Sequence, residues 1–141
     1  MKKHHLRILL LLAVASIFAL SARAEVIVIA NPSVALAALE KKELRNVFTG
    51  ESLALHDGSH VMPVLLKECS THTEFLTTYL GKSETTFRAA WRSLVFSGDT
   101  MMPKTFDTEP AVVNYVAHTA GTIGYINSKT PHDGVKILTV K

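Results

Sequence analysis

The sequence contains one cysteine, Cys69, among 141 residues. An intramolecular disulfide is therefore excluded, and the core must hold without a covalent staple even in an oxidising compartment. Charged residues make up only 19% of the chain and hydrophobic ones 48%, which excludes a disordered polymer. A multidomain enzyme is excluded by length, since roughly 100–200 residues make one domain. Residues 25–141 have no internal repeat, low-complexity tract or block of like charge. They also lack an apolar run near the roughly 20 residues that a membrane-spanning helix needs.

What excess charge there is sits at one end. Lys2, Lys3, Arg7 and Arg23 fall within residues 1–24, which hold no acid; residues 25–141 carry 11 basic and 12 acidic side chains. The net charge of +3 is thus a property of the leader, and no nucleic-acid partner follows from it. Residues 1–7 (MKKHHLR) form a positive segment, Ile8 to Leu20 an apolar one, and Ala22-Arg23-Ala24 a small-x-small cleavage pattern. These are the parts of a secretory signal peptide cut between Ala24 and Glu25. The expectation is an exported domain, 25–141, that does not insert in the membrane after cleavage.

Within that domain, Val26 to Ala30 is a short continuous apolar run, a buried strand ended by Asn31-Pro32-Ser33. Leu36, Leu39, Leu44, Val47 and Phe48 then have helical spacing, with Gly50 placed to close the helix. Asp57-Gly58 marks a turn before a second strand, Val61 to Leu66, whose Pro63 suits an edge strand or a strand end. A polar segment, Lys67 to Thr73, opens a helix bearing Phe75, Leu76, Tyr79 and Leu80, with Thr71-x-x-Glu74 in capping-box register. Phe87, Ala90, Trp91, Leu94 and Val95 form the apolar stripe of a further helix capped by Ser83. After a loop from Ser97 to Asp107, Thr108 caps a helix that buries Val112, Val113, Val116 and Ala120 and ends at Gly121. Strands at Thr122 to Ile126 and Val135 to Val140 complete the chain. This order predicts an α/β domain, helices packed on a mixed sheet.

The segment with the most chemical potential is Cys69-Ser70-Thr71-His72-Thr73. It follows a strand and opens a helix, where unpaired amides and the helix dipole favour an anion. The hydroxyls of Ser70, Thr71 and Thr73 can donate to the same oxyanion. An ordinary capped helix would use these residues equally well, and Glu68 beside them opposes an anion. His56 and His60 flank Asp57, but the Asp57-Gly58 turn breaks any helical register and no further metal ligand is placed. They read as surface histidines, and no metal or cofactor is expected. Cys69 and His72 fix no nucleophile geometry, no G-x-S-x-G elbow is present, and His72, His118 and His132 suggest no role. No enzymatic constellation emerges.

The motifs nevertheless have a recognisable order. A strand followed by Asn31-Pro32-Ser33 leads to Lys42-Glu43-Leu44-Arg45-Asn46-Val47-Phe48-Thr49-Gly50, then Asp57-Gly58-Ser59, Met62-Pro63-Val64 and Leu80-Gly81-Lys82. Trp91 to Gly98 and Gly121-Thr122-Ile123-Gly124-Tyr125-Ile126 close the series. Over roughly residues 26–140 the chain resembles the small, exported, phosphate-transporter substrate-binding-like proteins of the type II periplasmic-binding-protein superfamily. The resemblance implies a single α/β lobe of the periplasmic-binding-protein kind. It also implies phosphate, or a similar oxyanion, held by the Cys69–Thr73 loop at a helix N-terminus. The expected donors are Ser70, Thr71 and Thr73, with help from Ser33 in the loop after the first strand. The chain departs from the family pattern at Cys69, where a glycine usually precedes the serine, and in offering Lys67 rather than an arginine. A single lobe gives the anion one wall. A few charge-assisted hydrogen bonds of about 1.5–3 kcal/mol each would then yield roughly millimolar to micromolar affinity. Enclosure would require a second copy or an envelope protein. The other expectation is an interaction or scaffold protein of the envelope, using the same lobe without a small ligand.

Overall fold

The computed structural model describes residues 25–141; the signal peptide expected at 1–24 lies outside the described residues. In chain order the elements are β1 (Val26–Ala30), β2 (Ala38–Leu39), α1 (Lys41–Thr49), β3 (Met62–Leu66) and α2 (Ser70–Phe75), which continues as a π-helical turn, Leu76–Leu80. Then follow α3 (Glu84–Phe96), β4 (Lys104–Phe106), α4 (Glu109–His118), β5 (Thr122–Asn127) and β6 (Lys136–Val140). The strands form one mixed sheet in the order β2-β6-β1-β5-β3-β4. β1 is antiparallel to both β5 and β6, while β3 runs parallel to β5 and to β4. The expected α/β lobe is therefore the observed one.

Alternation along β5 puts helices on both faces. Gly124 approaches α4 so closely that an added Cβ would stand 3.0 Å from Val112 Cγ1 and from Val64 Cγ2. The neighbouring Tyr125 points to the other face, stacking on Phe75 at 3.8 Å between ring centroids and meeting Phe48 edge-on at 5.7 Å. That second face is the deeper core. Phe48, Phe75, Trp91 and Tyr125 are all buried there, and the Trp91 indole N–H donates to the Phe48 carbonyl at 2.8 Å.

Three local expectations need correction. The apolar positions Leu36 and Leu39 are not helical: Ala38–Leu39 pairs in parallel with Thr139 and Val140, and α1 starts only at Lys41. A run this short fits either period, and the open edge of β6 decides it. Two residues expected in apolar stripes are exposed: Val95 of α3 is 39% exposed, and Ala120 lies past the end of α4 at His118. Within the expected loop 97–107, Lys104–Phe106 forms the edge strand, so β3 is not an edge. Pro63 is accommodated at a strand start, as β4 pairs with β3 only from Val64 onward. The caps expected at Ser83 and Thr108 are present, accepting from Thr86 N–H and Ala111 N–H.

Candidate functional site

α2 begins where β3 ends, and its first residues stand at the margin of the sheet. Cys69 is the N-cap in extended conformation, exposed and unpaired with any other cysteine, and its side chain makes no capping bond. The capping box expected from Thr71 and Glu74 does not form. Thr71 lies inside the helix and is buried, and its hydroxyl donates to Glu109 Oε2 at 3.1 Å. The Thr73 amide already donates to the Cys69 carbonyl at 3.0 Å, as the fourth amide of a helix does. Upstream of it the amides of Ser70, Thr71 and His72 have no intrahelical acceptor. Ser70 and Thr73 are exposed at this end.

Two charged features frame the helix start. Lys67 is ion-paired with Asp107, both being exposed. Glu109, at the first turn of α4, accepts from the Thr71 hydroxyl, the Asn127 amide and the Thr130 hydroxyl. One carboxylate thus ties α2, α4 and the end of β5 together. It also places a negative charge beside the hydroxyl cluster.

Ser33 is not part of this cluster. Its hydroxyl accepts from the Gly121 amide at 2.9 Å, just before β5, whereas Glu109, which accepts from Thr71, also accepts from the amide of Asn127, the last residue of β5. Gly121 and Asn127 are six residue steps apart along the strand, a span of about 20 Å. The antiparallel course of β1 is responsible, since it delivers Asn31-Pro32-Ser33 to the sheet end at which β3 and β5 begin. There the Asn31 side chain donates to the Val116 and Ala117 carbonyls and accepts from the Ser33 amide.

The feature without any expectation attached is His72. It is buried, with Nδ1 2.5 Å from the Tyr125 hydroxyl and Nε2 2.5 Å from Glu84 Oε2. The Tyr125 oxygen also accepts from the Leu66 amide at 3.0 Å. On the other side of the ring Glu84, a carboxylate that can only accept, takes a proton from His72 Nε2 and another from Arg88 at 2.7 Å. A hydrogen-bonded line therefore runs from the end of β3 through β5 and α2 to α3 and fixes the seat of α2. No local signal marks it, because His72 and Tyr125 are 53 residues apart.

Burial raises the Tyr125 phenol far above its ordinary range. For Glu84, burial pushes the pKa upward, but hydrogen bonds from Arg88 and His72 outweigh it and hold the carboxyl below the ordinary glutamate range. A carboxylate depressed in the folded state contributes stability that is complete above its unfolded pKa, about 4.3, and is lost as pH falls through the folded value. Glu84→Gln is accordingly expected to flatten the acid side of the Tm–pH curve below about pH 4.3. Thermal melts across that range check this; parallel curves for the two proteins would contradict it.

His56 Nδ1 lies 3.0 Å from Glu43, and the Asp57 carboxylate accepts from the Ser59 hydroxyl and amide in the expected turn. Hydrogen bonds from the Ser59 hydroxyl and then its amide lower the Asp57 pKa. Among the described residues no group of three or more His, Cys, Asp or Glu side chains is placed to hold a metal ion.

The architecture is a mixed sheet sandwiched by helices, with a helix start at the end of a parallel strand. The fold is shared with several solved structures at low sequence identity. An ABC-type phosphate transport receptor from Vibrio cholerae matches 83% of the chain with TM-score 0.62 and 10% identity. PstS from Borrelia burgdorferi matches 84% with TM-score 0.63 and 13% identity, and a phosphate binding protein from Stenotrophomonas maltophilia matches 84% with TM-score 0.58 and 17% identity. The chain covers 46%, 47% and 39% of those three chains, less than half the length of each. No family model and no curated protein matches the sequence.

Proposed function

We propose that the chain is an exported binding module for phosphate or a similar small oxyanion, with the ligand seated on the N-terminus of α2. The observation that carries this reading is the uncapped helix start, where the Ser70 and Thr71 amides lack intrahelical acceptors and no side chain replaces them. The Ser70 and Thr73 hydroxyls would add donors, while the Thr71 hydroxyl would have to leave Glu109. Ser33 is too distant to contribute. The fold shared with phosphate receptors supports the same ligand class. Export is inferred from the 1–24 leader, and among the described residues no helix is long and apolar enough to cross a membrane.

With one wall, binding is weak, and a second copy or an envelope protein would supply the other. Calorimetric titration with phosphate is expected to show saturable binding in the millimolar to micromolar range, abolished by Ser70→Ala/Thr73→Ala. Glu109→Gln keeps the oxygen that anchors Asn127 but removes the negative charge, and should tighten phosphate binding about tenfold. The absence of heat with a folded protein would overturn the phosphate assignment. A second reading, an envelope scaffold without a small ligand, is favoured by one observation: Glu109 already engages the Thr71 hydroxyl. An unchanged affinity in Glu109→Gln, or none in either protein, would turn the balance toward it.

A further inference from the structure

The sheet end opposite α2 carries a cavity that the anion reading does not use. Thr100 to Pro103 and the starts of β3 and β5 line an open cavity of about 310 Å³. The lining is apolar, contributed mainly by Met62, Val64, Trp91, Met102 and Tyr115. Only one charged side chain lines it, Lys104. Its ammonium stands 4.7 Å from the Tyr115 ring centroid and takes part in none of the ion pairs formed among the described residues. The methionines around the space are unusually open to water: Met101 is 86% exposed, Met62 53% and Met102 47%.

These features specify an occupant. Flexible thioether side chains adapt to an unbranched apolar body, and water beside them is displaced favourably. A cation over an aromatic wall, with no carboxylate lining the cavity, complements one negative charge. A volume of this size is at the lower end for small-molecule sites. Phosphate would have to shed its hydration against apolar walls and is disfavoured here. We infer that this cavity binds a small amphiphilic monoanion, a medium-chain fatty acid being the simplest: its alkyl chain lies among the methionines against Trp91, and its carboxylate pairs with Lys104.

Trp91 is the only tryptophan of the chain and lines the cavity, so its emission reports entry directly. The purified protein is titrated with decanoate and with decanol, both below the concentration at which they aggregate. Decanoate is expected to change the emission saturably and to bind at least tenfold more tightly than decanol. Lys104→Met should weaken decanoate at least tenfold and leave decanol within twofold, whereas Lys82→Met changes neither. Met101→Glu, at an exposed position that the fold does not need, should weaken decanoate at least tenfold with an unchanged melting temperature. Millimolar phosphate should not displace decanoate, which separates this cavity from the α2 site. The inference is overturned by no saturable response to decanoate, by equal binding of decanol, or by Lys104→Met without effect. It is also overturned if sedimentation shows two copies joined through Met101 and Met102 and decanoate fails to separate them.

Discussion

Replacement of Tyr125 by alanine is expected to lower the unfolding free energy by about 3–5 kcal/mol or more, the range for deleting a buried aromatic ring. Tyr125 is fully buried, lies flat on Phe75 and edge-on to Phe48, and joins the second-face core to the end of β3. Its hydroxyl has a separate share of the effect. Tyr125→Phe keeps the ring but strands the Leu66 amide and His72 Nδ1, each of which now has Tyr125 as partner. Leaving a buried polar group unpaired costs about 1–3 kcal/mol, so the phenylalanine variant should fall between wild type and Tyr125→Ala. Urea unfolding followed at Trp91 gives both values. A Tyr125→Phe protein as stable as wild type would mean that the line from Leu66 to Glu84 is not energetically coupled.

Gly50→Ala should be nearly as damaging, for reasons of space as well as conformation. Gly50 ends α1 with φ of 77°, in the left-handed region where a side chain costs about 1–2 kcal/mol. A Cβ there would stand 2.7 Å from Leu94 Cδ1 and 3.0 Å from the Trp91 ring, which is locked by its bond to the Phe48 carbonyl. Overpacking of this kind adds about 1–3 kcal/mol. Gly81 is the internal control: its φ is 63°, and an added Cβ would meet nothing within 4 Å. Gly81→Ala should therefore show the conformational cost alone. Equal Tm losses for the two variants would show that Trp91 and Leu94 yield without cost.

What the sequence disclosed and what it withheld divide along a physical line. Local signals were sufficient for α3 and α4, where Ser83 and Thr108 cap as expected, and for the strands of continuous apolar residues. They were insufficient where a partner distant in sequence made the decision. Leu36 and Leu39 have helical spacing, but β6, about 100 residues later, draws Ala38–Leu39 into the sheet. The three residues of β4 are too few to carry a period. At the candidate site the loop could be read, since hydroxyls after a strand are a local pattern. Its surroundings could not. Glu109 reaches Thr71 across 38 residues, His72 reaches Tyr125 across 53, and the direction of β1 removes Ser33 from the cluster. A residue's type gives its chemistry, but only topology gives its neighbours.

The position of β1 bears on when this molecule can fold. It lies at the middle of the sheet, yet its two partners, β5 and β6, lie about 100 and 110 residues further along. A chain emerging from the ribosome N-terminus first thus makes the centre of its sheet early and must wait for both flanks. Contacts so remote in sequence are slow to form, because loop closure precedes any reward from pairing. Until β5 and β6 are both synthesised, Val26 to Ala30 lacks the strands that flank it in the sheet. If the chain is exported as proposed above, its central strand stays unpaired throughout synthesis, and the architecture delays completion of the sheet rather than hastening it.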